Sequence, residues 1–152
     1  MASAIGVDPA ELAVVGSAAT GVSLNPNKGF SRFDTNSDVD VAVISSHYFE
    51  LAWRWLRSIG AAIYGLPEEA KTAVKAHRRS YVYDGTIATD RLLPYLPFAE
   101  AWMPTLAKFS MAFPCDGRQL NVRLYRDWWA LRDYHVKNAT VLRDNHLPVR
   151  NY

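Results

Sequence analysis

The sequence predicts one α+β domain that spans residues 1–152. Two segments, Asp38–Ile44 and Gln119–Tyr125, alternate apolar and polar residues with the period of two that is typical of β-strands. In contrast, Ser46–Gly60 places its apolar residues at helical spacing. The hydrophobic content of 49% and the aromatic content of 12% are sufficient for a packed core, and no internal repeat or low-complexity segment divides the chain.

The N-terminal part is predicted to contain a short helix and two strands. The helix begins at Asp8, which is followed by proline and, three residues on, by the glutamate of a capping box. Leu12–Val15 is predicted to be a buried strand that ends at Gly16-Ser17, and Ala18–Ser37 is a polar loop rich in turn-forming residues. In the strand Asp38–Ile44, the alternation places Val39, Val41 and Val43 on one face and Asp38, Asp40 and Ala42 on the other.

The middle of the chain is predicted to be mainly helical. Ser46–Gly60 carries an apolar stripe, and Pro67–Arg79 is a second helix whose cationic end suits a helix C-terminus. Tyr81–Thr89 is predicted to be strand and turn. Prolines then interrupt the chain, so only short helices are expected up to the strand Gln119–Tyr125; the prolines are Pro94, Pro97 and Pro104.

The C-terminal part is predicted to form a helix over Asp127–Lys137, followed by a polar tail from Asn138. The inward-facing residues of this helix are expected to be Trp128, Leu131 and either Tyr134 or His135.

Charge and cysteine content exclude several classes of protein. The net charge is +2, which permits an RNA partner without indicating one. A single cysteine, Cys115, can form neither an internal disulfide nor a zinc cluster. His47, His135 and His146 have no metal-ligand spacing. Neither a secretory signal nor a membrane span is predicted, so the expected location is the cytoplasm, with no membrane partner.

The strand Asp38-Val39-Asp40 places two carboxylates on one face, with Cα atoms about 7 Å apart given the rise per strand residue. Both carboxylates can converge on one Mg²⁺, or on two ions about 4 Å apart, and a divalent ion would relieve their repulsion. An exposed polar strand face is the alternative interpretation, and it is the more common one for an isolated Asp-x-Asp.

The turn at Gly16-Ser17 favours a ligand-binding site over an exposed polar strand face. Glycine after a buried strand lets the backbone approach a ligand, and successive amides there bind anions beside the Ser17 hydroxyl. Thr20-Gly21 follows one helical turn later. The sequence lacks the Gly-Lys-Ser/Thr of a Walker P-loop, so that class of phosphate site is excluded.

Together, Val15-Gly16-Ser17-Ala18-Ala19-Thr20-Gly21 and Ser37-Asp38-Val39-Asp40-Val41 resemble the signature of the polymerase-beta-type nucleotidyltransferase superfamily. The resemblance implies a mixed β-sheet with helices packed on it and a Mg²⁺-dependent (or Mn²⁺-dependent) transfer of a nucleoside monophosphate from a nucleoside triphosphate to a hydroxyl of a protein, an RNA or a small molecule. It also implies nucleotide contacts and metal ligands. The nucleotide contacts would be Gly16, Ser17, Thr20, Gly21 and Ser37, and the metal ligands Asp38 and Asp40.

The sequence departs from the superfamily pattern in two places. The loop between Ser17 and Asp38 is longer than usual and is expected to lie over the site, with Lys28 and Arg32 more often solvated than bound to phosphate. Asn121 stands where the resemblance implies a third catalytic acid. Its carbonyl can ligate Mg²⁺ but cannot act as a base. Alternative sources of a third carboxylate are Asp84, Asp90 and Asp116.

Three hypotheses therefore stay open: an active nucleotidyltransferase, a nucleotide-binding regulatory module with impaired catalysis, and an antitoxin-like subunit of a protein partner. Two further features favour structural interpretations. The basic cluster at Lys75, His77, Arg78 and Arg79 is expected to be a charged helix end rather than a phosphate contact. The tryptophans Trp53 and Trp128 are expected in the core rather than stacked on bases.

Overall fold

The computed structural model describes residues 1–146, except for the side chains of Pro26 and His146. The end of the polar tail and of the predicted domain, residues 147–152, lies outside the described residues, as does the expectation for the His146 side chain.

Four strands form one mixed sheet in the order β1-β2-β4-β3. Their bounds are β1 Leu12–Val15, β2 Val39–Ile44, β3 Thr86–Ala88 and β4 Leu120–Tyr125. β1 is antiparallel to β2, β2 is parallel to β4, and β3 is antiparallel to β4. The two central strands are therefore the two alternating segments of the sequence.

Helices cover the sheet on both faces. The α-helices are α1 Ala2–Ile5, α2 Ser17–Thr20, α3 Ser46–Ser58, α4 Glu68–Ala76, α5 Ala99–Met111 and α6 Trp128–His146. Short 3₁₀ turns occupy Pro9–Glu11, Pro26–Lys28, Gly60–Gly65 and Leu93–Tyr95, and a π-helical turn follows α4 at His77–Tyr81. The prediction of an α+β chain is thus confirmed, and its sheet is mixed.

The two faces of the central strands are buried against different helices. Val41 and Val43 belong to the larger core, which includes the fully buried Trp102 of α5. Ala42 and Ile44 point the other way and pack with Leu131 of α6. The predicted alternation of β2 is therefore confirmed, and the face that carries Asp40 is the one covered by α6.

Two predictions about helix length were wrong. α5 has 13 residues and contains Pro104 in its interior. Proline there removes one backbone hydrogen bond, but burial of Trp102 and Leu106 on one side of the helix offsets that loss. α6 continues to His146 instead of ending at Lys137, and Leu142 is buried beyond that point.

The predicted strand at Tyr81–Thr89 is confined to Thr86–Ala88, because His77–Tyr81 continues α4 as a π-helical turn. His77, expected at a charged helix end, is 2% exposed and satisfies both ring nitrogens. Its Nδ1 donates to the Ala73 carbonyl at 2.6 Å, and its Nε2 accepts the Ala88 N–H at 2.9 Å. This pair of bonds joins the helical segment to β3.

The last turn of α3 is held by a cation from the same cluster. The Arg78 guanidinium donates to the Leu56 carbonyl at 2.8 Å and 2.5 Å. Free carbonyls at a helix C-terminus are stabilised by such donors. The preference for a structural role of this cluster is therefore confirmed for two of its members. Trp128, in contrast, was expected to face inward and is 52% exposed.

Candidate functional site

A pocket of about 230 Å³ opens where β1 ends and β2 and β4 begin, beneath α6. Its walls come from the turn after β1, the loop before β2, the two central strands, the segment after β3 and α6. The polar residues that line it are Ser17, Ser23, Asn25, Lys28, Asp40, Asp90, Asn121, Arg123, Tyr125, Tyr134, His135 and Asn138.

The turn after β1 brings backbone against a carboxylate. Gly16 has φ +65° and ψ −153°, a conformation that is essentially restricted to glycine. A Cβ atom at this position would lie 2.6 Å from Oδ2 of Asp40. The Gly16 carbonyl accepts the N–H groups of Ala19 and Thr20 at 3.1 Å and 3.2 Å, which starts α2 at Ser17. Glycine is therefore required here both by conformation and by space.

The parallel register of β2 and β4 places Asp40 directly beside Asn121. The Asn121 amide donates to Asp38 Oδ2 at 3.3 Å, and its carbonyl accepts from Gln119 Nε2 at 2.9 Å. The two carboxylates and the amide thus form one polar cluster at the end of the sheet.

Burial raises the pKa of Asp40, and the charge of Asp38 raises it further. The adjacent Asn121 amide and the charges of Lys28 and Arg123 lower the pKa of Asp40, but burial is the largest effect. This half-buried carboxylate would be stabilised by a cation that enters the pocket, because the cation favours its ionised form.

Four predicted site residues line the pocket: Gly16, Ser17, Asp40 and Asn121. Asp38 contacts the cluster through Asn121 but is outside the lining. Thr20 and Ser37 use their hydroxyls locally, and Gly21 ends α2 with φ +77°. These last three are therefore placed to support the turn and the loop rather than to line the pocket.

Residues of β4, α6 and the long loop complete the pocket, and only some of them were indicated by a sequence pattern. Arg123 shares the polar face of Asn121, which the alternation of β4 indicated. Tyr134, His135 and Asn138 come from α6 and carry no motif. Lys28 is exposed, as expected for a solvated loop residue, and it also lines the pocket, so the loop contributes to the site.

The structure separates the three alternative sources of a third carboxylate. Asp90 lines the pocket. Asp84 is paired with Lys137 at 2.5 Å, away from the pocket lining, and Asp116 lies in a turn with φ +51°. Within residues 1–146 no group of three or more His, Cys, Asp or Glu side chains is arranged to hold a metal ion. The side-chain oxygens at the polar cluster are those of Asp38, Asp40 and the Asn121 carbonyl.

Comparison of the chain with family models, with curated proteins and with solved structures found no match. Over the described part of the chain, no helix combines the length and the apolar character needed to cross a membrane. The function of the pocket is therefore inferred from its own residues and their geometry.

Proposed function

We propose that the pocket binds a nucleoside triphosphate together with Mg²⁺ or Mn²⁺ and transfers the nucleoside monophosphate to a hydroxyl acceptor. The observation that carries this proposal is the contact between a glycine turn and a half-buried aspartate. The backbone of Gly16 approaches Asp40 so closely that a Cβ atom would lie 2.6 Å from its carboxylate. Phosphate groups bound at the turn would therefore lie beside the carboxylate that binds their counter-ion.

The order of elements supports the same proposal. A strand, a Gly-Ser turn, a short helix and a long loop lead to the Asp-x-Asp strand, and β4 lies parallel beside it. In the polymerase-beta-type nucleotidyltransferase superfamily, which these motifs resemble, such a turn contacts the triphosphate and the Asp-x-Asp strand binds the metal. A nucleotidyltransferase-like fold is part of the proposal.

The cluster offers oxygen ligands, which are the ligands that hard divalent ions such as Mg²⁺ prefer. Asp38 and Asp40 supply carboxylate oxygens, and Asn121 supplies an amide carbonyl. Burial raises the pKa of Asp40, so a bound cation would favour the ionised form of this carboxylate. When bound, such an ion neutralises phosphate charge and polarises the phosphoryl group.

The protein's own groups have separate tasks in the transfer. The amides of the turn and the Ser17 hydroxyl bind phosphate oxygens, and Lys28 adds positive charge from the loop. The acceptor oxygen forms a bond to the α-phosphorus while the bond to the bridging oxygen breaks, and pyrophosphate leaves with that electron pair. The proton of the acceptor hydroxyl goes to Asp90, because Asn121 cannot accept it and Asp90 lines the same pocket.

Transfer is tested with α-³²P-labelled nucleoside triphosphates, Mg²⁺ or Mn²⁺, and three acceptor pools: cell-extract protein, total RNA and small metabolites. We expect label in at least one pool. The control is the double variant Asp38→Ala/Asp40→Ala. Wild-type labelling no higher than that control, in every pool, would contradict the proposal.

The role of Asp90 has its own matched control. Asp90→Asn is expected to lower kcat by about 10²–10⁴-fold, the usual effect of losing a general base, while the Kd of the nucleotide changes less than about twofold. Asp116→Asn changes the same side chain outside the pocket lining and should leave kcat unchanged. Equal kcat in the two variants would show that the proton goes elsewhere.

Asn121 favours a second candidate, a nucleotide-binding module that has lost transfer. Its amide donates to Asp38 and so partly compensates the charge of that carboxylate, whereas a third carboxylate at this position would add negative charge. This candidate predicts Mg-nucleotide binding by calorimetry without label transfer, and a gain of transfer in Asn121→Asp. Robust turnover by the wild-type protein would exclude it.

A further inference from the structure

Arg123 is a pocket residue with an unsatisfied donor. It follows Asn121 on the same face of β4, and its guanidinium lies 4.6 Å from the centre of the Tyr134 ring and 5.8 Å from that of Tyr81. Its Nη1 is buried without a hydrogen-bond partner, and within the described part of the chain Arg123 forms no ion pair. The two rings therefore orient a cation whose Nη1 has no acceptor and whose charge lowers the pKa of Asp40 in the same pocket.

His135 presents a second unsatisfied nitrogen in the same pocket. It belongs to α6, lines the pocket beside Tyr134, and its Nε2 is buried without a partner. Burial and then the charge of Arg123 lower the pKa of His135, which disfavours its charged form. Either ring nitrogen of a neutral imidazole can carry the N–H, so Nε2 can donate to a ligand. His77 is the contrasting case, because both of its ring nitrogens are bonded within the protein.

Arg123 and His135 each have a buried nitrogen without a partner, and both residues line the same pocket. Over residues 1–146, four buried side-chain polar atoms lack a hydrogen-bond partner, and two of them belong to residues that line this one pocket. A buried donor without an acceptor destabilises the folded protein, and a guanidinium does so more than a neutral group. An anionic oxygen group would satisfy both donors, and Arg binds phosphate with two parallel N–H bonds.

We propose that the Arg123–His135 corner, the part of the pocket lined by Arg123, Tyr134 and His135, is a binding subsite for a phosphate group. It is distinct from the turn at Gly16-Ser17, which lies at the end of β1. The subsite deepens the proposed function and rests on it only for the source of the phosphate. That source is either the nucleotide's own phosphate chain or a phosphorylated acceptor.

The first experiment measures binding of inorganic phosphate and pyrophosphate by isothermal titration calorimetry in EDTA, so that neither a metal nor transfer is required. Arg123→Met is expected to weaken binding about 10–100-fold, the effect of losing hydrogen bonds to a charged group. The matched control is Arg118→Met. Arg118 also has a buried nitrogen without a partner and a guanidinium near an aromatic ring, Phe33, but it does not line the pocket.

Three further variants keep the result decisive if Arg123→Met does not fold. Arg123→Lys retains the charge over Tyr134 but not the planar fork, so phosphate binding should weaken less than in Arg123→Met but measurably. His135→Gln retains an N–H donor, whereas His135→Phe removes it, and only the second should weaken binding. Equal phosphate affinity in the wild type and in all Arg123 and His135 variants, or an equal loss in Arg118→Met, would overturn the subsite.

The second experiment identifies the source. If the nucleotide's own phosphates occupy the corner, pyrophosphate competes with the nucleotide and Arg123→Lys weakens nucleotide binding. If a phosphorylated acceptor does, a phosphomonoester such as phosphoserine binds alongside the nucleotide, and Arg123→Lys weakens only the phosphomonoester. Phosphate binding that depends on Arg123, together with an absence of label transfer, would retain the subsite and reject the proposed transferase activity.

Discussion

Replacing Gly16 by alanine adds one methyl group at a point where two constraints meet. The backbone of Gly16 has φ +65° and ψ −153°, a conformation that residues with a Cβ atom rarely adopt. The new Cβ would also lie 2.6 Å from Asp40 Oδ2, so the carboxylate or the turn must move. Gly16→Ala should therefore lower the free energy of unfolding and displace the Asp40 carboxylate or the turn.

The size of the effect can be estimated by comparison with Gly29. Gly29 also has positive φ, +52°, but a Cβ there meets nothing within 4 Å, so its replacement by alanine is expected to cost only about 1–2 kcal/mol of unfolding free energy. At Gly16 the backbone term is about 1–3 kcal/mol, and overpacking against the carboxylate adds about 1–3 kcal/mol. Gly16→Ala should thus cost about 2–6 kcal/mol, a large part of the stability of an ordinary domain.

Urea denaturation followed by circular dichroism measures both variants. The contact itself is tested by a double-mutant cycle with Asp40→Ala, because removing the carboxylate should recover about 1–3 kcal/mol of the Gly16→Ala loss. Equal losses in Gly16→Ala and Gly29→Ala, with no coupling to Asp40, would refute the reasoning.

Three further predictions concern pH and hydrogen bonding. Because burial raises the pKa of Asp40, the folded state binds this proton more tightly than the unfolded state, so stability falls as pH rises above the ordinary value of 3.8 through the raised pKa. Asp40→Asn should lack that fall in urea titrations across the acidic range, and an unchanged pH slope would count against the burial effect. The pKa of His77 is lowered by burial, so stability should instead be lost as pH falls below 6.5. His77→Phe should flatten that slope and, by leaving the Ala88 N–H unpaired, cost about 1–3 kcal/mol in urea denaturation; a wild-type slope in the variant would contradict this. Arg78→Met should lower the unfolding free energy by about 1.5–3 kcal/mol through loss of the bonds to Leu56, with nucleotide binding unchanged; weaker nucleotide binding would restore a ligand-binding role to the cluster.

Local pattern predicted the elements that have a strong period and clear end signals. Leu12–Val15 was predicted with its observed bounds, and β2 and α3 differ from prediction by no more than two residues at either end. Prediction failed where packing overrides local preference. Pro104 lies inside α5 because Trp102 and Leu106 are buried there, and α6 extends beyond Lys137, with Leu142 packed in its final turns.

Some residues of the candidate site were likewise predicted from local sequence, and others were not. Motif and spacing selected Gly16, Ser17, Asp40 and Asn121, and the structure places all four in one pocket. No local signal marked α6 as a wall of that pocket, since its contribution depends on how the helix packs over the sheet.

The sequence by itself determined the chemistry available at the end of the sheet: a glycine turn, two carboxylates two residues apart, and an amide on a second strand. Periodicity also determined which face of each strand these groups occupy, because side chains alternate along a strand. Only the tertiary structure decided which groups meet. The parallel register puts Asn121 beside Asp40, and α6 brings His135 to the pocket that Arg123 also lines. Such pairings join residues far apart in the chain, so they depend on packing of the whole sheet and not on any local pattern.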